Sequence, residues 1–170
     1  DYVPYIKAAT AKKIPTYVIG SVDDSLLDEV KAVGLVNYIG PDETKSTDDV
    51  AGKLKESGVT KVVCFIFDVT LTTLSKRCDR IVDHFGEGNG RKEMAALQSF
   101  TYKPKVNALL SAQGFLETGN VAFIVPSRAV FDWVYEETVA TGQLDRVSFV
   151  SYDSSADILT AMRAGEDNQV

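Results

Sequence analysis

Residues 61–85, KVVCFIFDVTLTTLSKRCDRIVDHF, decide the reading of this chain. Lys61–Phe67 is a run of β-branched and aromatic residues that ends at Asp68, and a helix is predicted over Leu74–Phe85. A strand that is apolar on both faces is one covered on both faces, which is the character of a parallel sheet with crossover helices. The beat recurs. IPTYVIG (14–20), LQSFTY (97–102), VAFIVPS (121–127) and RVSFVSYD (146–153) are further apolar runs, most of them separated by amphipathic stretches. The expected class is therefore α/β, a three-layer α/β/α arrangement around a mostly parallel sheet. Such sheets bind ligands beyond the carboxyl ends of their strands. Those ends carry Gly20-Ser21, Asp68, Tyr102, Ser127 and Asp153.

Four long strands, near 61–67, 95–101, 121–126 and 146–152, make one sheet-based lobe with helices at 74–85, 104–113, 128–140 and 155–164. GEGNGRKE (86–93) reads as the polar connection before the second of them. Upstream, a helix over 3–12, strand 14–19, helix 25–33 and a short strand 36–39 look like the end of another lobe. One such unit cannot cover both faces of a sheet. The expected organisation is one full lobe plus part of a second: 1–43 the C-terminal part of an incomplete first lobe, 44–165 the second lobe, and 166–170 the start of a return hinge. Ser46 with Asp49 resembles a capping box opening a helix that Gly58 closes. Gly34, Gly114, Gly142 and Gly165 are read as further helix stops.

Composition excludes several classes. With 18 basic and 24 acidic residues the net charge is −6, and no basic stripe gathers on a predicted helix, so nucleic acid is not an expected partner. No run approaches the ~18 apolar residues needed to cross a bilayer. Two cysteines make neither a disulfide framework nor a zinc site, and Cys64 and Cys78 read as reduced, partly buried thiols. No cofactor is expected. His84, the lone histidine, stands late in a helix with no second ligand arranged beside it.

Taken in order, five landmarks resemble the type I periplasmic-binding-protein fold, which includes sugar-binding proteins of ABC transporters and the effector domains of LacI-type repressors. They are KKIPTYVIG (12–20), NYIGPDETKSTDDVAGKL (37–54), LSKRCDRIVDHF (74–85), VAFIVPSRAVFDWV (121–134) and VSFVSYDSSADILTAMRAGEDNQV (147–170). The resemblance covers essentially the whole chain. It implies a non-enzymatic solute-binding protein for a small polar, sugar-like ligand held between two lobes that close near residues 40–44. Arg77 matches the family's ligand-clamping arginine, and a guanidinium's fixed fork of donors suits that task. Asp153 matches the hydroxyl-accepting aspartate, Tyr102 a stacking aromatic, and Ser127 the usual Asn or Asp. Gly20 and Ser21 stand where the first lobe has a polar pair. Departures are Arg80 for a glycine, Ile81 for an aromatic and Arg128 for an acid. The resemblance also implies a membrane transporter or receptor as partner and an extracytoplasmic location, with the cytoplasm as the alternative.

Two other functions compete. FDVTLTTL (67–74) and YDSSADILTAMRAG (152–165) resemble motifs of haloacid-dehalogenase-like, magnesium-dependent phosphatases. Asp68 would then be the nucleophile, and Asp153 and Asp157 the metal ligands. Against it, Thr70 occupies the general-acid position and no lysine lies between Ser127 and Asp153. The second alternative is a ligand-less interaction module or a repressor effector domain of the same fold, in which Arg80 and Arg128 fill the pocket. Bland roles are open throughout. Asp153 could cap the helix over 155–164, Ser127 the helix at 128, and Arg77 could pair with Asp79 or Glu87.

Overall fold

In the computed structural model, which describes residues 2–20, 22, 24–66, 68, 71–94, 99–111 and 119–163, the chain divides into two units, Asp1–Ser46 and Thr47–Val170. The first unit contains α1 (Val3–Ala11), β1 (Tyr17–Ile19), α2 (Asp24–Ala32) and β2 (Asn37–Ile39). The two strands pair in parallel, Val18 opposite Tyr38. Those two residues pack with Ile6, Val30 and Leu35 in a small core. Residues on the other face of the pair, Tyr17, Ile19 and Ile39, are exposed.

The second unit begins in α3 (Glu43–Glu56), which the division crosses, and continues with β3 (Val59–Ile66), α4 (Thr72–Phe85), β4 (Gly90–Met94), α5 (Ser99–Ser111), β5 (Asn120–Val125), α6 (Arg128–Ala140), β6 (Val147–Ser151) and α7 (Ala156–Arg163). Its sheet has the order β4-β3-β5-β6, every neighbouring pair parallel. The two-sided apolar pattern of β3 has the expected consequence, since strand side chains alternate faces. Val62, Cys64 and Ile66 join Ala51 and Leu54 of α3 and Cys78 and Ile81 of α4 in one core. Val63 and Phe65 join α5, α6 and α7 residues in another, where Phe123 meets Phe65 and Phe149 edge-on at 5.1 and 5.7 Å. The result is the expected three-layer α/β/α lobe.

Four local expectations are corrected. The strand expected at 95–101 is β4, Gly90–Met94, and the GEGNGRKE stretch supplies much of it. Among the described residues β4 is an edge strand paired only to β3, and Arg91 and Lys92 on it are exposed, so it lacks the apolar signature of β3. Gly90 is there for space: a Cβ would lie 2.6 Å from the Val82 carbonyl oxygen of α4. Tyr102 accordingly stands in the first turns of α5 rather than at a strand end, and Pro104, expected to open that helix, sits inside it. The Ser46–Asp49 capping box does not form; Asp42 Oδ1 accepts the Lys45 N–H at 2.8 Å and starts α3 earlier. Finally, Cys64 and Cys78 are joined in a disulfide with Cα atoms 5.5 Å apart. Mid-strand β3 and the second turn of α4 face each other across the same core, which brings the sulfurs together. Gly58, with φ +84°, ends α3 as expected; Gly114, Gly165 and the hinge residues 166–170 lie outside the described residues.

Candidate functional site

Chain order and the two cores locate a crevice. From β3 the chain passes through α4, on the Cys64 face, to β4; from β4 it returns through α5, on the Phe65 face, to β5 on the far side of β3. Connections thus leave β3 and β5 on opposite faces, and the carboxyl ends of these two strands form a topological switch point. Asp68 follows β3 there, and Pro126-Ser127 follows β5. Next to β5, β6 ends at Ser151, followed by Tyr152 and Asp153.

Arg77 is brought to this edge by helical periodicity. It lies three residues after Leu74 and four before Ile81, on the stripe of α4 that turns to the sheet, near the helix end that adjoins the strand ends. Its guanidinium carbon stands 4.5 Å from the centre of the Tyr152 ring. The Tyr152 hydroxyl in turn lies 3.1 Å from Oγ1 of the fully buried Thr47 on α3. A cation over an aromatic face is drawn to the ring quadrupole, so the stack holds the planar fork in one orientation. Asp79, one of the two expected partners of Arg77, pairs with Lys92.

Asp153 bridges two strand ends. Its Oδ2 accepts the backbone N–H of Arg128, the first residue of α6, at 2.8 Å. It does not cap its own following helix; Ser155 does, through Oγ and the Ile158 N–H at 3.1 Å. A carboxylate at the α6 N-terminus is favoured by the helix dipole. Ser127 is the N-cap residue of α6, its carbonyl accepting from Val130 and Phe131, both at 3.1 Å. Asp153, Ser127 and the first turn of α6 therefore form one hydrogen-bonding rim.

Arg80 is no pocket filler. It forks onto Asp48 of α3, Nε to Oδ1 and Nη2 to Oδ2, both 2.6 Å, and His84 Nε2 lies 2.7 Å from the same Oδ1. The Arg80 and then the His84 hydrogen bonds hold the Asp48 carboxyl well below the usual carboxylate range. This cluster ties α3 to α4.

Of the six sequence-derived site residues, the second unit places Arg77, Ser127 and Asp153 at the strand ends. Tyr102 is on α5. Gly20 belongs to the first unit, where its φ of +118° suits glycine and its N–H donates to the Ile39 carbonyl at 3.0 Å. Ser21 lies outside the described residues. Sequence pattern does not single out Tyr152 and Thr47; Tyr152 reads as the last apolar residue of its strand. Among the described residues no three His, Cys, Asp or Glu side chains converge as metal ligands, and the phosphatase alternative finds no support in Asp68, Asp153 and Asp157.

No family model matches the chain, and no curated protein matches it. Solved structures do. A carbohydrate transporter protein from Acidothermus cellulolyticus 11B, in complex with myo-inositol, superposes with a TM-score of 0.74 at 18% identity, over 96% of this chain and 54% of that one. GanP, a glucose-galactose binding protein from Geobacillus stearothermophilus, gives 0.68 at 17% identity, over 98% and 57%. The periplasmic component of the arabinose ABC transporter from Shewanella sp. ANA-3, bound to α- and β-L-arabinofuranose, gives 0.67 at 18% identity, over 98% and 56%. The chain thus has the type I periplasmic-binding-protein fold and spans a little over half the length of these structures.

Proposed function

We propose that this chain is the non-enzymatic solute-binding part of a protein that takes a small polar ligand of the sugar or polyol class, with Arg77, Ser127 and Asp153 contributing to its site. The observation that carries the reading is the Arg77–Tyr152 stack beside Asp153 at the strand ends. It offers a fixed fork of donors, a carboxylate acceptor and an aromatic surface, the combination a polyhydroxylated ligand needs. The fold shared with three carbohydrate-related structures supports the ligand class. Tyr102, Gly20 and Ser21 stay proposed on the sequence resemblance alone. Residues 1–43 are read as part of a first lobe, in keeping with the exposed Tyr17, Ile19 and Ile39 face. A transporter or receptor is the proposed protein partner. The Cys64–Cys78 disulfide supports an extracytoplasmic location, because such bonds persist in oxidising compartments.

Isothermal calorimetry with myo-inositol, glucose, galactose and arabinose tests this. The expected result is saturable binding of at least one, weakened about tenfold or more in Arg77→Ala, since a hydrogen bond to a charged group contributes ~1.5–3 kcal/mol. Binding that Arg77→Ala leaves unchanged removes Arg77 from the site. No heat with any of the four overturns the ligand class.

A further inference from the structure

We infer that the Cys64–Cys78 disulfide is a positioning element for Arg77, fixing its guanidinium against Tyr152 at the strand ends. The inference builds on the proposed site but is tested apart from it. The bond encloses residues 64–78, a sequence separation of 14, so both Asp68 and Arg77 lie inside one covalent ring. Arg77 is the immediate neighbour of Cys78. Cys64 is in mid-strand β3, between two paired strands, and both cysteines are fully buried. The rigid sheet therefore holds the backbone one residue from the guanidinium.

A second observation shows why α4 needs such an anchor. Leu71 occupies its N-cap and provides no side-chain cap hydrogen bond. Uncapped helix N-termini leave their first N–H groups without intrahelical acceptors and fray readily. Arg77 lies in the second turn, close enough to that end for fraying to displace it. By pinning Cys78, the residue next to Arg77, the disulfide limits how far loosening of the first turn can displace Arg77. From the other side, Tyr152 is held by its hydroxyl contact with Thr47. Guanidinium and ring are thus each fixed independently, β3 through the disulfide and α3 through the hydroxyl, and the 4.5 Å stack is where the two restraints meet.

Replacing Cys64 with Val and Cys78 with Ala keeps the site apolar and removes the covalent ring. The readout is the Arg77 side-chain resonances in NMR of the 170-residue chain. A ring beneath a guanidinium shifts its protons upfield, and Tyr152→Leu gives the unshifted reference. In the double variant most of that upfield displacement should be lost, and amide exchange over 72–78 should rise by about an order of magnitude or more. A disulfide that only stabilises the fold predicts something else: a lower melting temperature with the Arg77 shift intact. That result overturns the inference. If that double variant does not fold, Cys64→Ala with Cys78→Val is made instead and the same resonances are read. No sugar is needed, so a chain that binds none refutes the proposed function and leaves this result standing.

Discussion

Removing the Tyr152 ring uncouples Arg77 from the second unit's sheet, and a double-mutant cycle measures by how much. Two of Tyr152's contacts can be separated: its hydroxyl lies 3.1 Å from buried Thr47 Oγ1, and its ring lies 4.5 Å beneath the Arg77 guanidinium. Tyr152→Phe deletes only the first. Thr47 has a further interaction, so the loss should be near the ordinary value for one hydrogen bond, about 1 kcal/mol. Tyr152→Leu deletes both and leaves poorer packing. Since Arg77 is half-buried, its coupling to the ring should fall between exposed and desolvated cation–π pairs, about 1 kcal/mol. The cycle of Tyr152→Leu with Arg77→Ala should return that coupling; the cycle of Tyr152→Phe with Arg77→Ala should return close to none, because phenylalanine keeps the face. Urea unfolding followed by Trp133 fluorescence reports it, as Trp133 packs against the second unit's core. A Tyr152→Leu coupling under ~0.3 kcal/mol, the usual additivity error, would refute the stack as an energetic contact.

Three further outcomes are expected. Asp48 has a folded-state pKa below its unfolded value, so its contribution is present above about pH 4 and is lost as pH falls below that; acid titration of Asp48→Asn, followed by circular dichroism, should lack that part of the wild-type decline. Cys64→Val with Cys78→Ala should lower unfolding stability by about 3 kcal/mol, the chain-entropy value for a loop of this size, in urea titrations. Gly90→Ala sets a methyl 2.6 Å from the Val82 carbonyl, and should loosen β4 in amide exchange while leaving β5–β6 protection unchanged.

What the sequence disclosed followed from burial. β3, β5 and β6 are apolar because they are covered on both faces, and periodicity found all three. β4 escaped for the converse reason: its Arg91 and Lys92 are exposed and it shows no such run, whereas β6, at the other edge of the sheet, keeps Val147, Phe149 and Val150 buried. The apolar residues beyond it imitate the missing strand, and that pattern puts Tyr102 at a strand end. Arg77 and Asp153 were reachable because helix period and strand termination place them. The restraints on them were not, since Tyr152 with Thr47, Cys64 with Cys78 and Asp153 with Arg128 are each joined by tertiary structure across at least 14 residues. Arg80 shows the same limit. Its sequence position suggested a pocket, but its Asp48 partner lies 32 residues away on another helix.

The central claim is that the strand ends of the second unit bind a polyhydroxylated ligand. Titrating the isotope-labelled chain with myo-inositol, glucose, galactose and arabinose, and following backbone and Arg77 side-chain resonances, tests it most directly. The account predicts saturable shifts with at least one of them, concentrated at Asp68, Arg77, Ser127, Arg128, Tyr152 and Asp153. Shifts that instead map to the α5–α6 surface, or spectra that none of the four sugars changes, would contradict it.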